Sequence, residues 1–157
     1  MPKIHVTTFI AAPCERVFDL SRSINLHLVS AASNKEKAIA GTTTGLINKD
    51  ESVTWQARHM FKNRLFTSGI TEMNRPVYFK DVMLKGDFKS FEHEHHFKAI
   101  ENGTIMIDII HFETPYRQLG RLINRLFLHS YLKKLIEKRN AVIREYAETR
   151  KWEILLS

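Results

Sequence analysis

The stretch FKSFEHEHHFKAIENGTIMIDIIHFE, residues 88–113, decides the fold. In 88–101, Phe91, His93, His95 and Phe97 share one face, opposite Glu92, Glu94, His96 and Lys98. Strand side chains alternate in this way, so the aromatic face points inward. In 103–113, Met106, Asp108, Ile110 and Phe112 oppose Ile105, Ile107, Ile109 and His111. Both faces are apolar there; the Met106 face is taken as inward because Phe112 leads into the turn at Pro115. Asn102-Gly103 between the two runs is a hairpin signal, because both central turn positions favour positive φ. Two long strands joined so tightly predict an antiparallel sheet.

Toward the N-terminus the period of two continues, predicting strands near 35–40, 46–48, 51–62, 64–74 and 77–85. Gly41 with Gly45, Lys49-Asp50, Asn63, Asn74-Arg75-Pro76 and Gly86-Asp87 separate them. The chain opens on an alternating strand, Lys3 to Ala11. Pro13 then begins a short helix through Leu20, and a second runs from Ser23 to Ala32. After Pro115 the period changes. Leu119, Leu122, Ile123, Leu126, Leu135, Ile136, Val142, Ile143 and Tyr146 recur at helical spacings, with Gly120 marking a kink or break. The main helix is expected to reach about Arg150 and to span about 45 Å at 1.5 Å per residue. A helix with so wide an apolar stripe must lie on something.

The expected architecture is α+β. A curved antiparallel sheet of six to seven strands wraps around a long C-terminal helix, and two short helices follow the first strand. Sheet and helix need not touch everywhere, so the gap between them is a natural apolar cavity. The length, 157 residues, suits one domain over 1–157. Hydrophobic residues at 43% and charged residues at 26% are ordinary globular values. A single Cys rules out an intramolecular disulfide framework and a Cys-based zinc cage. The N-terminus lacks the apolar run of a signal peptide, so the expected location is cytoplasmic.

The net charge of +7 is uneven. Residues 1–116 carry 14 Lys/Arg and 13 Asp/Glu, whereas residues 117–151 carry 10 and 3. This basic segment reads as a solvated helix face, or as a surface for an anionic membrane or an acidic protein. Nucleic acid is the least favoured partner, because no zinc-finger or RNP-like motif is present. Oligomeric state is not legible.

The run Ile10-Ala-Ala-Pro13-Cys-Glu15-Arg-Val17-Phe18-Asp-Leu20 resembles the opening of the helix-grip proteins, the START/Bet v 1-like (SRPBCC) superfamily. Four further stretches resemble a bacterial polyketide cyclase/dehydrase-like branch. They are Asp19 to His27, Val53 to His59, His93-Glu-His95-His-Phe97, and Pro115 through Leu119-Gly120-Arg121-Leu122. The resemblance covers nearly the whole chain and implies a ligand cavity between the sheet and the C-terminal helix. It brings no shared catalytic set, and a fold alone does not supply a reaction.

Alternation indicates what lines that cavity. In 51–62, Val53, Trp55, Ala57, His59 and Phe61 share the inward face; in 77–85, Phe79, Asp81 and Met83 share one. The expected chamber is lined by Trp55, Phe61, Phe91, Phe97, Met106 and Phe112, joined by His59, His93, His95, Asp81 and Asp108. Three readings follow. The polar groups form a satisfied His–Asp network. They fix the polar end of a small hydrophobic ligand, lipid, polyketide-like or isoprenoid. Or His59, His93, His95 and Asp108 act as acid and base in a cofactor-independent cyclase or dehydratase. His-x-His on a strand also suits zinc, with His59 or Asp108 as third ligand, but the resemblance requires no metal and none is expected. For the chain's function, hydrophobic-ligand binding is the primary reading, the cyclase or dehydratase the alternative, and docking through 117–151 the third.

Overall fold

The computed structural model describes residues 3–59, 62–115 and 127–156. Strand β1 spans Lys3–Ile10, with Ile4, Val6 and Ile10 buried and Lys3, His5, Thr7 and Phe9 exposed. Helix α1, Cys14–Ser21, starts after Pro13, which needs no backbone donor there. It buries Val17, Phe18 and Leu20. Helix α2, Ile24–Ser30, is capped by Ser23, whose hydroxyl accepts from the Leu26 N–H at 3.1 Å. A 3-10 turn, Ala32–Asn34, follows. The remaining strands are β2 Lys37–Gly41, β3 Ser52–His59, β4 Lys62–Asn74, β5 Tyr78–Lys85, β6 Ser90–Ile100 and β7 Gly103–Glu113. Helix α3, His129–Glu148, and a last short helix α4, Trp152–Leu156, complete the described chain.

All seven strands form one antiparallel sheet in the order β1-β7-β6-β5-β4-β3-β2. Every neighbour but one is a hairpin partner; the exception brings β1 beside β7. Helix α3 packs over the inward face and contacts β1, α1 and α2. This is the helix-grip arrangement. Two apolar clusters hold it. One joins Phe18, Phe79, Phe97, Met106, Ile143 and Ala147, with edge-to-face contacts of Phe18 on Phe79 and Phe97. The other joins Ile4, Val6, Ile110, Phe112 and Leu128. On β7 the buried face is Thr104, Met106, Asp108, Ile110 and Phe112.

Three expectations change, and a fourth lies partly outside the described residues. Residues 46–48 form no strand: Leu46 makes a lone bridge to Ser23, and the Ile47 N–H bonds the Arg22 carbonyl at 3.2 Å. Its backbone groups are spent on the α1–α2 linker instead of a neighbouring strand. The β6–β7 turn is centred on Glu101-Asn102, since Ile100 pairs with Gly103. Gly103 is the first residue of β7, at φ 155°, where a Cβ would lie 2.3 Å from the Ile10 carbonyl oxygen. The expected helix from 119 to 150 is described only over His129–Glu148; residues 116–126 lie outside the described residues, as does Phe61. Beyond it lies α4, which the sequence pattern does not predict. Its Trp152 stacks under the Arg16 guanidinium at 4.2 Å and packs on the first cluster. No described helix is long and apolar enough to cross a membrane.

Candidate functional site

A cavity of about 910 Å³ lies between the sheet and α3. Its apolar wall includes Val53, Trp55, Ala57, Phe66, Ile70 and Phe79 from the sheet, and Leu132, Leu135 and Ile136 from α3. Its polar lining includes a cluster of Ser21, Ser68, Asp81, His93, His95 and Arg139; His27, Glu36, His59, Lys62, Arg64 and Asp87 are further polar and charged residues on the lining.

The strand register builds that cluster. Asp81 on β5 is opposite His93 on β6, and His95 on β6 is opposite Asp108 on β7. All four point to the inward face. The short bonds run diagonally across that square. His93 Nε2 lies 2.7 Å from Asp108 Oδ1, and His95 Nε2 lies 2.6 Å from Asp81 Oδ2. A carboxylate only accepts, so both Nε2 atoms carry the proton. The directly opposed pairs are wider: His93 Nδ1 is 4.0 Å from Asp81 Oδ2, and His95 Nδ1 is 3.4 Å from Asp108 Oδ1. The two imidazoles stack with centroids 3.7 Å apart, and His95 stacks on Phe79 at 4.0 Å.

Helix α3 closes the array from above. Arg139 Nη1 donates to Asp108 Oδ1 at 3.3 Å, and its Nη2 donates to the Ser21 hydroxyl at 2.6 Å and carbonyl at 3.2 Å. Asn140 Nδ2 donates to Asp108 Oδ2 at 2.8 Å and to the Thr8 hydroxyl at 3.1 Å. Asp81 Oδ1 accepts from the Ser68 hydroxyl at 3.1 Å. His95 Nδ1 lies 3.4 Å from a donor, Arg139 Nη2, and 3.4 Å from Asp108 Oδ1.

Burial pushes the Asp108 carboxyl up, but the hydrogen bond from His93, the nearby His95 ring and the Arg139 charge hold it well below the usual carboxylate range. Burial likewise raises Asp81, and the His95 hydrogen bond and the charges of both imidazoles outweigh it. His93 is shifted the other way: burial and the neighbouring His95 push it down, against the pull of Asp108 and Asp81. The site therefore sets a neutral imidazole between two ionised carboxylates, with one guanidinium on the Asp108 side.

Of the residues expected to line the chamber, Trp55, His59, Asp81, Phe91, His93 and His95 do so. Phe97, Met106 and Phe112 face inward but lie outside the lining, packed into the two clusters where facing side chains leave no space. Asp108, 1% exposed, sits behind the histidines and not on the cavity surface. His59 takes no part in the array; its Nδ1 is 2.7 Å from Tyr131 Oη, bridging β3 to α3. Burial lowers the His59 pKa and raises that of Tyr131. Sequence reasoning does not single out Arg139 and Asn140. Their signal is positional: both fall where the apolar stripe of Ile136 and Ile143 should continue, three or four residues from each.

No protein-family model matches the sequence, and no curated protein does. Solved structures do match in shape. TTHA0849 from Thermus thermophilus superposes with a TM-score of 0.75 at 17% identity, covering 93% of this chain and 97% of that one. The major latex-like protein 151 of Panax ginseng gives 0.70 at 13%, over 94% and 98%. Ara h 8.0201 gives 0.70 at 12%, over 93% and 97%. These likenesses show the fold, the Bet v 1-like helix grip expected from the sequence.

Proposed function

We propose that the protein binds a small, mostly hydrophobic molecule between sheet and helix, its polar end held at the Asp81–His93–His95 array. The carrying observation is the cavity: about 910 Å³, with aliphatic and aromatic side chains on both the sheet and the helix wall, and the Asp81–His93–His95 cluster among its polar lining. Ligand sites of roughly 300–1,000 Å³ have this composition. Removing apolar surface from water supplies about 25 cal/mol per Å², from which binding costs are subtracted. Trp55, His59 and Phe91 on the lining serve as contact area, and the ligand class is lipid, polyketide-like or isoprenoid. Native mass spectrometry of protein purified gently from its own host tests this. An adduct lost on denaturation supports the proposal. A bare chain that also fails to enhance the fluorescence of an added apolar dye, such as anilinonaphthalene sulfonate, overturns it.

A second reading rests on the His93–Asp108 pair. A buried carboxylate fixes the tautomer and leaves Nδ1 as a neutral base. Such a base can take a proton from a carbon acid, the imidazolium being stabilised by Asp108, as cyclisation or dehydration of a polyketide-like substrate requires. The sequence resemblance to the cyclase/dehydrase-like branch points the same way. Under this reading His93→Ala abolishes turnover of the bound molecule while its binding persists. Equal turnover in the variant would remove it.

A further inference from the structure

We infer that Asp81, His93 and His95 form a binding site for one divalent first-row transition ion, of the zinc(II) or iron(II) kind, on the lining of the cavity. One ligand atom from each lies within 4.8 Å of the others. Among the described residues no other group of three His, Cys, Asp or Glu side chains converges in this way. The sequence leads to no expected metal and names His59 or Asp108 only as possible third ligands; in the structure neither takes that place. His59 is engaged by Tyr131, and both oxygens of Asp108 are taken.

Each donor suits the role. His93 Nδ1 has no hydrogen-bond partner among the described residues, and its other nitrogen donates to Asp108. A carboxylate behind a ligating imidazole fixes the tautomer and strengthens the donor nitrogen. Asp81 Oδ2 faces both imidazoles, at 2.6 Å from His95 Nε2 and 4.0 Å from His93 Nδ1, while its Oδ1 is steadied by Ser68. An ion entering between them replaces the Asp81–His95 hydrogen bond and takes the His95 proton's place. The electrostatics agree. Arg139 neutralises the Asp108 end, whereas no Lys or Arg pairs with Asp81 among the described residues. Two imidazole nitrogens and one carboxylate oxygen select a borderline cation over calcium or magnesium, and three protein ligands leave positions open toward the cavity. The inference needs no organic ligand, and its failure would leave the apolar binding proposed above intact; an ion held by His93 Nδ1 would instead remove that nitrogen from the role of free base.

Chelator-stripped protein is titrated with cobalt(II) at neutral pH and followed by visible absorption. The expected result is uptake of one ion per chain, with ligand-field bands of a nitrogen and oxygen site of fewer than six ligands. Asp81→Asn and His93→Gln should weaken it beyond the roughly 10- to 100-fold that loss of an outer hydrogen-bond partner costs. The double variant His96→Asn/His111→Asn controls for the outer face of the same strands, where His96 and His111 flank Glu94. It should bind as the wild type does. No saturable uptake by the wild type overturns the inference, as does loss of binding in the outer-face variant with retention in Asp81→Asn. If the inner variants do not fold, paramagnetic broadening in the wild type decides: broadening centred on the His93 and His95 rings supports the site, and broadening centred on His96 and His111 overturns it.

Discussion

Asp108 shows how much one residue's cost depends on its partners. It is 1% exposed and accepts from His93, Arg139 and Asn140. Removing one partner of a buried ion pair leaves an uncompensated charge, which costs about 3–5 kcal/mol. Arg139→Met should therefore destabilise the fold by about 3 kcal/mol, the lower end, because His93 and Asn140 still donate. Urea unfolding measures this; a loss under about 1 kcal/mol would mean that Asp108 is relieved by water or a proton. The same groups set a pH dependence. His93 is pushed below its ordinary 6.5, so the unfolded chain binds more protons between that value and the lower folded one. His59 acts alike. Their contributions are complete above pH 6.5 and fade as pH falls toward the folded values. Asp81 and Asp108 are lowered from 3.8, so their contributions are present above that value and are lost on further acidification. The urea midpoint should fall in two stages as pH drops, with the first stage reduced in His93→Gln. A flat profile down to about pH 5 would contradict the buried neutral imidazole.

At the scale of elements, two glycines with positive φ separate two kinds of constraint. Gly45, at φ 78°, has nothing within 4 Å of where a Cβ would stand, so Gly45→Ala should cost only the left-handed backbone penalty, about 1 kcal/mol. Gly103→Ala would press a Cβ against the Ile10 carbonyl and the Ala11 Cα, both backbone, which cannot swing away. Its cost should exceed that of Gly45→Ala by at least about 1 kcal/mol, read from paired denaturation curves. Strong periodicity makes most elements legible: β3 through β7 and α1 appear within a few residues of expectation, because alternation and capping are local. The elements missed are those decided by partners distant in sequence. Residues 46–48 look strand-like but are claimed by the Arg22 region, and α4 is held by Arg16 from the other end of the chain. The site divides along the same line. Asp81, His93 and His95 are readable from which face they share. Arg139 and Asn140 are not, because an apolar stripe does not announce where it turns polar over a cavity. Phe97, Met106 and Phe112 fail as lining for the converse reason: facing inward does not distinguish a packed core from the wall of a chamber.

For the whole molecule the question is whether the space under α3 exists to be filled. A packed core resists added volume, at about 1–3 kcal/mol per overpacked site. A chamber kept for a ligand does not, since the new side chain enters unoccupied space and removes apolar area from water. Ala57 tests the difference. It is buried on β3, lies on the cavity lining, and is flanked on its own face by Trp55 and His59. Ala57→Phe should fold with the wild-type urea midpoint or a higher one, yet lose most of the wild-type enhancement of anilinonaphthalene sulfonate fluorescence. A ligand present at about 100 times its dissociation constant stabilises the wild type by about 2.7 kcal/mol, and that stabilisation should vanish in the variant. The cobalt(II) titration should be unchanged, because Ala57 makes no contact with Asp81, His93 or His95 through the strand register. A destabilised variant would show that sheet and helix are already in close contact at this point. A stable variant that still binds dye would place the dye elsewhere on the surface. Stability retained with binding lost is the outcome a ligand chamber requires, because it separates the volume the fold needs from the volume the function uses.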